Sequence, residues 1–218
     1  MAGEIRDGGT ATNRLPKGSG VEIFEAHYAG VPGAGWEINR PQPRFVELAE
    51  RGAFHGKLLD VGCGSGENAL MAAGLGLDVT GVDAAPTAIA LADRKARKRG
   101  LDARFLEWNV LQLGDMGEQF DTVIDVGLFH CFTDADRPAL VSSIAAAVRP
   151  GGRYFLMCFS DLQPGTWGPR RVSESEIRES FASGWRIDAL RRDRIEVTFE
   201  PGTAQAWLVE MTRLPARI

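Results

Sequence analysis

One stretch of this chain, an apolar run that leads straight into alternating glycines, narrows the possible folds more than any other. Residues 58–61 are apolar apart from Asp60, and Gly62, Gly64 and Gly66 follow at every second position. The pattern predicts a buried strand ending in a tight turn that opens a helix, where glycines let a ligand approach the backbone. A dinucleotide site would have the spacing G-x-G-x-x-G. The spacing here is D-x-G-x-G-x-G, and a carboxylate at that place suits a cationic head group instead.

Apolar runs and helix-like segments alternate along the rest of the chain. Helices are predicted over residues 67–75, directly after the glycines, and 86–99, which begins with a proline. Further strands are predicted at residues 77–83, 103–107, 120–125 and 152–159, with a closing antiparallel pair at 185–191 and 204–213. Strands that alternate with helices indicate a parallel sheet with right-handed crossovers. We therefore predict a Rossmann-like, doubly wound α/β fold, with a seven-stranded, mostly parallel sheet, its last strand antiparallel, and helices on both faces.

Polar side chains fall at the carboxyl ends of four of the predicted strands. They are Asp60, Asp83, Asn109 and Asp125. In an open parallel sheet, ligands bind at this edge, so the four side chains are expected to line one site. Asp83 lies 17 residues beyond Gly66, the region where a doubly wound fold places the carboxylate that accepts ribose hydroxyls.

Length and composition limit the domain organisation. The chain has 218 residues, of which 44% are hydrophobic, enough for one well-packed domain and short for two. Residues 1–20 have little to bury, and we predict that they form a flexible arm. A single domain is predicted over residues 21–218.

Charge and cysteine content argue against several classes of partner. A net charge of −4 gives no electrostatic reason to expect a nucleic acid or a membrane surface. The three cysteines fit a reducing compartment, and no apolar run approaches the ~20 residues of a membrane span. Cysteine and histidine do not recur at metal-ligand spacings. We expect a cytoplasmic protein, monomer or homodimer, that uses no metal and acts on a small molecule.

These motifs together resemble the class I methyltransferases that depend on S-adenosylmethionine (SAM). The resemblance rests on the glycine motif, on Asp83 and on the turn Arg149-Pro150-Gly151-Gly152. Residues 35–43, Gly-Trp-Glu-Ile-Asn-Arg-Pro-Gln-Pro, are similar to a segment of the thiopurine and thiol/halide methyltransferase group, as are residues 158–172. The run Leu128-Phe129-His130 resembles bacterial members that methylate small heterocyclic or phenolic compounds.

The resemblance implies a cofactor, SAM, whose product is S-adenosylhomocysteine (SAH), and it implies residues that bind it. The three glycines would pass beneath the methionine portion, and Asp60 would hold its ammonium. Asp83, with Ala84 beside it, would take the ribose hydroxyls. The remaining cofactor contacts implied are Asn109 at the adenine edge with Trp108 beside it, Trp36 over the sulfonium, and Asp125 near the reacting methyl. An aromatic face such as that of Trp36 favours a cation by ~0.5–2 kcal/mol.

The acceptor side is predicted from two segments of the chain. Phe129 and His130 follow the strand at residues 120–125, and Trp167 and Arg171 lie in or beside a Pro/Gly-rich segment typical of an active-site lid. The candidate catalytic residues are His130 and Asp125, either of which would accept a proton from a phenol. Two alternatives stay open for His130: an imidazole that faces the acceptor and takes its proton, or a buried imidazole whose hydrogen bonds are satisfied. Val126 stands where the thiopurine enzymes have an arginine, which argues against an anionic acceptor held in their manner.

The predicted function is methyl transfer to sulfur, nitrogen or oxygen of a small aromatic or heterocyclic molecule, in detoxification or specialised metabolism. A thiol/halide methyltransferase is the alternative within the family. Two other classes are a nicotinamide-dependent oxidoreductase and a non-catalytic SAM-binding protein. An oxidoreductase would need a G-x-G-x-x-G motif and a catalytic tyrosine. The chain has no such motif, and its two tyrosines, Tyr28 and Tyr154, lie before the sheet and inside a predicted strand. The second class would not need the Pro/Gly-rich segment within residues 159–172, which is typical of an active-site lid.

Overall fold

A computed structural model describes residues 21–31 and 34–215, so the predicted arm over residues 1–20 lies outside the described residues. Within the described ranges, one seven-stranded sheet has the order β3-β2-β1-β4-β5-β7-β6. The strands are β1 (Lys57–Val61), β2 (Asp78–Asp83), β3 (Arg104–Glu107), β4 (Phe120–Val126), β5 (Val148–Phe159), β6 (Trp185–Glu196) and β7 (Thr203–Arg213). The first five pair in parallel, and β7 runs antiparallel to both β5 and β6. The predicted fold class is confirmed.

Helices cover both faces of the sheet. They are α1 (Val21–Tyr28), α2 (Pro43–Glu50), α3 (Glu67–Gly74), α4 (Pro86–Arg99), α5 (Arg137–Ala147) and α6 (Glu174–Ser180), with 3₁₀ segments at Val110–Met116 and Phe129–Cys131. Buried side chains of α2, α3 and α4 form one core cluster with one face of the strands. Those of α5 and α6 form a second cluster with the other face. Because successive strand residues point to opposite faces, both faces of the central strands are apolar, as in a parallel sheet covered on two sides.

Three elements differ from the predicted boundaries. The patterns above do not predict α5, although Leu140, Ser143, Ile144 and Ala147 form one buried helical face. β5 begins at Val148 rather than Gly152, because the register against β4 shifts between Phe120 and Thr122 and takes the glycine turn into the strand. β6 extends to Glu196 rather than Arg191. Its polar second half is tolerated because β6 is an edge strand, where charged side chains reach water.

A segment that precedes α2 crosses above the carboxyl edge of the sheet, and we call residues 34–42 the crossing segment. The side chain of Gln42, which is buried, donates to the carbonyl of Glu196 and accepts from its backbone N–H, at 3.0 and 2.9 Å. Gly35 accepts a hydrogen bond from the backbone N–H of Thr198 at 2.9 Å. The crossing segment is therefore attached to the tip of the β6–β7 hairpin, residues 197–202.

None of the helices within the described ranges is long and apolar enough to cross a bilayer. Across the same part of the chain, no group of three or more His, Cys, Asp or Glu side chains is arranged to hold a metal ion.

Candidate active site

The glycine turn connects β1 to α3 at the carboxyl edge of the sheet. Gly62, Gly64 and Gly66 have φ angles of 68°, 54° and 85°, in the left-handed region that side chains disfavour. At Gly64 a Cβ atom would lie 2.3 Å from the hydroxyl of Tyr28. Any other residue here would collide with α1 as well as strain the backbone. The turn is thus a cradle of bare backbone that a ligand can approach closely.

Asp60 supplies an unpaired carboxylate oxygen directly below this turn. It lies in β1 on the face covered by α3, is 1% exposed, and its Oδ2 has no hydrogen-bond partner. Burial raises the pKa of the carboxyl to about 8, and Asp125 nearby adds to the shift. A buried carboxylate oxygen without a partner is costly unless a ligand compensates it. This orphan oxygen beside a glycine cradle fits the ammonium group of SAM.

Asp83 ends β2 next to the turn, and its carboxylate organises the backbone around it. Oδ2 accepts from the N–H of Gly64 and Oδ1 from the N–H of Ala85, both at 2.9 Å. Burial raises the pKa of Asp83, against the opposing effect of these backbone hydrogen bonds. Each oxygen keeps a second lone pair, so the carboxylate can accept ribose hydroxyls while it holds the turn. Ala84, which lies between Asp83 and Ala85 in the sequence, is half-buried.

Trp108 and Asn109 follow β3 at the same edge, as predicted. Asn109 is buried, and its Oδ1 accepts from the N–H of Leu111 at 3.0 Å, which begins the 3₁₀ segment Val110–Met116. The indole N–H of Trp108 donates to the carbonyl of Gln112 at 3.1 Å. Both polar side chains already serve the local chain, and their contact with adenine stays a prediction.

Helix α1 supplies contacts that the sequence patterns do not predict. Glu25 accepts hydrogen bonds from the backbone N–H and the hydroxyl of Thr87, near the beginning of α4. The hydroxyl of Tyr28 lies over Gly64 and accepts from the indole N–H of Trp36 at 3.0 Å. α1 is thereby placed over the glycine turn. Its one sequence signal is the spacing of Phe24, His27 and Tyr28, three rings on one helical face.

Trp36 is 39% exposed and packs against α1. Its ring lies 5.4 Å from that of Phe24 and 5.3 Å from that of His27. The indole therefore anchors α1 while part of its surface stays open. Its predicted contact with the sulfonium is compatible with this position and stays a prediction.

Asp125 lies at the end of β4 but on the opposite face of the sheet from Asp60. It is fully buried: Oδ1 accepts from the N–H groups of Leu128 and Phe129, and Oδ2 accepts from the hydroxyl of Tyr154 at 2.9 Å. Burial raises its pKa to about 7. The carboxyl closes the turn after β4, and its partners are protein atoms. Its predicted proximity to the methyl is untested, and the observed bonds favour a structural role.

His130 follows in the 3₁₀ segment after β4. It is 6% exposed, and its Nδ1 accepts from the backbone N–H of Phe159 at 3.0 Å. Burial lowers the pKa of the imidazole to about 3, and the charge of Arg171 adds to the shift. The ring is therefore neutral with its proton on Nε2. This geometry favours the second alternative above, a buried imidazole, because Nδ1 is bonded to the backbone.

The other predicted acceptor residues occupy three different environments. Phe129 is 0% exposed, and its ring lies 5.7 Å from that of Phe181 in the core cluster that includes α6, so it has no surface for an acceptor to contact. Trp167 is half-buried in the loop after β5, residues 160–171, which we call the acceptor loop. Arg171 donates to the carbonyls of Pro169 and Trp167 at 2.6 and 2.7 Å. Its guanidinium holds the acceptor loop together rather than pointing free toward an anion.

Comparisons with known proteins identify the family to which the chain belongs. Residues 58–152 match a model of a methyltransferase domain. Over 196 residues the chain is 35% identical to the 2-heptyl-1-hydroxyquinolin-4(1H)-one methyltransferase of Mycobacteroides abscessus, which spans 84% of this chain and 86% of that protein.

Two solved structures have a similar fold. One, described as "Conversion of a Disulfide Bond into a Thioacetal Group during Echinomycin Biosynthesis", superposes with a TM-score of 0.82 at 33% identity, over 91% of this chain and 93% of the other. The magnesium protoporphyrin IX methyltransferase of Synechocystis with bound SAM shares the fold, with a TM-score of 0.62 at 23% identity over 78% and 76% of the two chains. The chain belongs to the class I SAM-dependent methyltransferases, a family that methylates with SAM as its cofactor.

Proposed function

We propose that this protein transfers the methyl group of SAM to a heteroatom on a small, flat heteroaromatic molecule, in detoxification or specialised metabolism. The first candidate is an acidic hydroxyl on such a ring. Sulfur and ring nitrogen are the other atoms that the predicted function allows.

The observation that carries the proposal is the pairing of polar groups on the acceptor side. Asp125 is fully buried and accepts from three protein donors, the Nδ1 of His130 accepts from the backbone N–H of Phe159, and Arg171 donates to backbone carbonyls. What this side presents instead is the aromatic ring of Trp167, which is half-buried and packs against the buried ring of Phe159. A site of this kind recognises a flat apolar ring and supplies no free base.

Each half of the site has its own task in the proposed reaction. When bound, SAM supplies a methyl carbon already activated by its sulfonium. Asp60 pairs with the ammonium, the glycine turn carries the backbone past the methionine portion, and Asp83 fixes the ribose. Rings on the acceptor side then hold the nucleophile in line with the carbon–sulfur bond. Alignment of this kind can lower a barrier by ~7–11 kcal/mol.

Because no base is free among the described acceptor-side residues, the nucleophile must arrive ionised or with an open lone pair. The relative that is 35% identical is described as acting on a quinolone with a hydroxyl on its ring nitrogen. Such a hydroxyl, conjugated to the ring carbonyl, is more acidic than a phenol and is largely ionised near neutral pH. Its oxygen would displace the sulfonium directly, so that the methyl carbon moves from sulfur to oxygen and SAH leaves as a neutral thioether.

A thiol acceptor is the second candidate. The structural relative at 33% identity is described by a reaction at sulfur in echinomycin biosynthesis. A thiolate, like an acidic hydroxyl, needs no protein base. The predicted thiol/halide activity belongs to this candidate.

A turnover assay with SAM over three acceptor classes tests the proposal. The classes are 1-hydroxyquinolin-4(1H)-ones, aromatic thiols and simple phenols. We expect the first to be methylated fastest and phenols hardly at all near pH 7, with rates that follow ionisation of the acceptor rather than of the enzyme. The variant Asp83→Ala, which should bind the cofactor much more weakly, serves as the negative control for turnover. Methylation of phenols as fast as of the other two would contradict a site without a base.

A further inference from the structure

Aromatic rings continue along the carboxyl edge of the sheet beyond the predicted acceptor residues. The ring of His130 lies 5.2 Å from that of Phe159, and Phe159 lies 5.8 Å from Trp167, each edge-on. Trp167 in turn meets Phe199 edge-on at 4.7 Å. His130 and Phe159 are buried, so Trp167 and Phe199 are the rings of this series with exposed surface.

Phe199 belongs to the tip of the β6–β7 hairpin and is fixed in place from two sides. A Cβ on Gly35 would lie 2.2 Å from the ring, so glycine is required there for the ring to fit. The hydrogen bond from the N–H of Thr198 to Gly35 holds the backbone beside it. Gly35 is followed directly by Trp36, whose indole anchors α1 on the cofactor side. Phe199 therefore sits between the crossing segment and the acceptor loop.

The ring is held, yet it is not buried. Phe199 is 38% exposed, as Trp36 is 39% exposed on the other side of Gly35. Leaving a large apolar face in water forgoes the stabilisation that burial would bring. A fixed, open aromatic face at the mouth of a site is what a ligand can cover.

The distance from the reaction centre decides which part of a ligand reaches this face. The order β4-β5-β7-β6 places the β6–β7 tip two to three strand spacings from β4, or about 10–14 Å. A bicyclic ring methylated near the end of β4 is shorter than that. Phe199 would meet a substituent on the side of the acceptor that is remote from the methylated atom.

We propose that Phe199, together with Trp167, is a specificity-determining residue that binds an apolar substituent of the acceptor. The inference rests on the proposed function and deepens it. Charged recognition does not account for this face, because the nearby guanidinium of Arg171 is engaged with the carbonyls of Pro169 and Trp167. Contact with a remote substituent aligns the reacting end and so raises kcat/KM.

The test is a series of 1-hydroxyquinolin-4(1H)-ones that carry methyl, propyl or heptyl groups at ring position 2. For the native chain, kcat/KM should rise with the alkyl chain, by up to about fourfold for each methylene that becomes buried. For Phe199→Ala, the ratio of kcat/KM between heptyl and methyl acceptors should fall by about tenfold. Affinity for SAH should stay within about twofold. Leu75→Ala, another exposed apolar residue (57% exposed) beyond α3, is the matched control and should behave as the native chain.

Three outcomes would be decisive. An unchanged heptyl-to-methyl ratio in Phe199→Ala, with SAH binding intact, overturns the inference and leaves the proposed function standing. Failure of the native chain to methylate any member of the series overturns the proposed function and the inference with it. If Phe199→Ala does not fold, Phe199→Gln keeps much of the bulk but replaces the apolar face with a polar one, and an unchanged ratio in that variant overturns the inference equally.

Discussion

Two halves of the carboxyl edge treat their polar groups in opposite ways. The cofactor half, at the ends of β1, β2 and β3, leaves an oxygen of Asp60 buried and without a partner. In the acceptor half, at the ends of β4 and β5, Asp125 and His130 are as deeply buried but bonded to protein atoms. The cofactor half therefore has a buried polar atom that a charged ligand could pair with, whereas the buried polar side chains named in the acceptor half are already bonded to the protein.

The difference follows from what each ligand provides. A cofactor with a fixed ammonium can compensate a buried carboxylate, so that carboxylate can be left unpaired. An acceptor that varies in shape offers no such charge, and a polar group left unpaired for it would cost stability. The proposed function therefore assigns ring contact to the acceptor half, and substitutions in both halves can test this division.

The largest effect is expected at Asp83. In Asp83→Ala, affinity for SAH should fall about 100-fold, because hydrogen bonds to a charged group are worth about 1.5–3 kcal/mol each. Titration calorimetry with SAH measures it. Asp78→Ala, at the exposed beginning of the same strand, is the control and should bind normally. If Asp83→Ala bound SAH as tightly as the native chain, Asp83 would not be a cofactor contact.

Asp60 should make cofactor binding depend on pH. Burial raises its pKa to about 8, so the carboxyl is protonated and neutral below that pH. An ammonium favours the ionised form, which lowers the pKa of Asp60 and releases a proton on binding. Affinity for SAH should rise with pH by up to about tenfold per unit below pH 8 and level off above it.

The control for this effect is Asp60→Asn, which should bind SAH weakly and with no such slope between pH 6 and 8. Calorimetry in buffers of different ionisation enthalpy counts the protons released. A native affinity that is flat over this range would mean that the carboxyl is ionised before the ligand arrives.

His130 should matter more for stability than for turnover. His130→Ala leaves the N–H of Phe159 without its acceptor, at a cost of about 1–3 kcal/mol in the free energy of unfolding. Turnover of an ionised acceptor should stay within about threefold. His130→Gln, whose side-chain oxygen can accept from the same N–H, should recover part of the stability. A hundredfold loss of turnover with SAH affinity intact would restore the alternative of a proton acceptor.

The same imidazole should make the native fold sensitive to acid. Burial lowers the pKa of His130 to about 3, so below the ordinary pKa of about 6.5 the unfolded chain binds a proton that the folded chain does not. Stability should therefore fall as the pH drops from 6.5 toward 3, by up to about 1.4 kcal/mol per unit from this residue. Denaturant unfolding of His130→Gln should show a shallower decline over that range.

The smallest effect is expected at Tyr28. Tyr28→Phe removes the acceptor for the indole N–H of Trp36 and loosens α1 over the glycine turn. Affinity for SAH should fall about threefold, the equivalent of one ordinary hydrogen bond. Ile23→Ala, on an exposed side of the same helix (64% exposed), should not change it.

The cofactor half could largely be predicted from sequence, because its signal is local. The strand, the acid and the glycines lie within nine residues, and glycine at position 64 permits the positive φ observed there. In the acceptor half, strand position correctly indicates that Asp125 and His130 come near the edge. It does not indicate their partners Tyr154 and Phe159, which belong to another strand.

The crossing segment has no local signature at all. Nothing in the residues around Gln42 indicates that its amide pairs with Glu196, nor does the sequence near Gly35 indicate a ring of Phe199 against it. Such contacts depend on where the whole sheet brings distant segments. The same reason explains why Phe199 is absent from the predicted acceptor residues.

The pairing of Gln42 with Glu196 joins positions 154 residues apart, which has a consequence for synthesis on the ribosome. At ~5–20 residues per second, Glu196 is added roughly 8–30 s after Gln42. During that interval a nascent chain can complete β1 and its glycine turn, while the mouth of the acceptor site has no outer wall. Under the proposal for Phe199, the substrate preference of this protein is therefore set only once the β6–β7 hairpin has emerged from the ribosome.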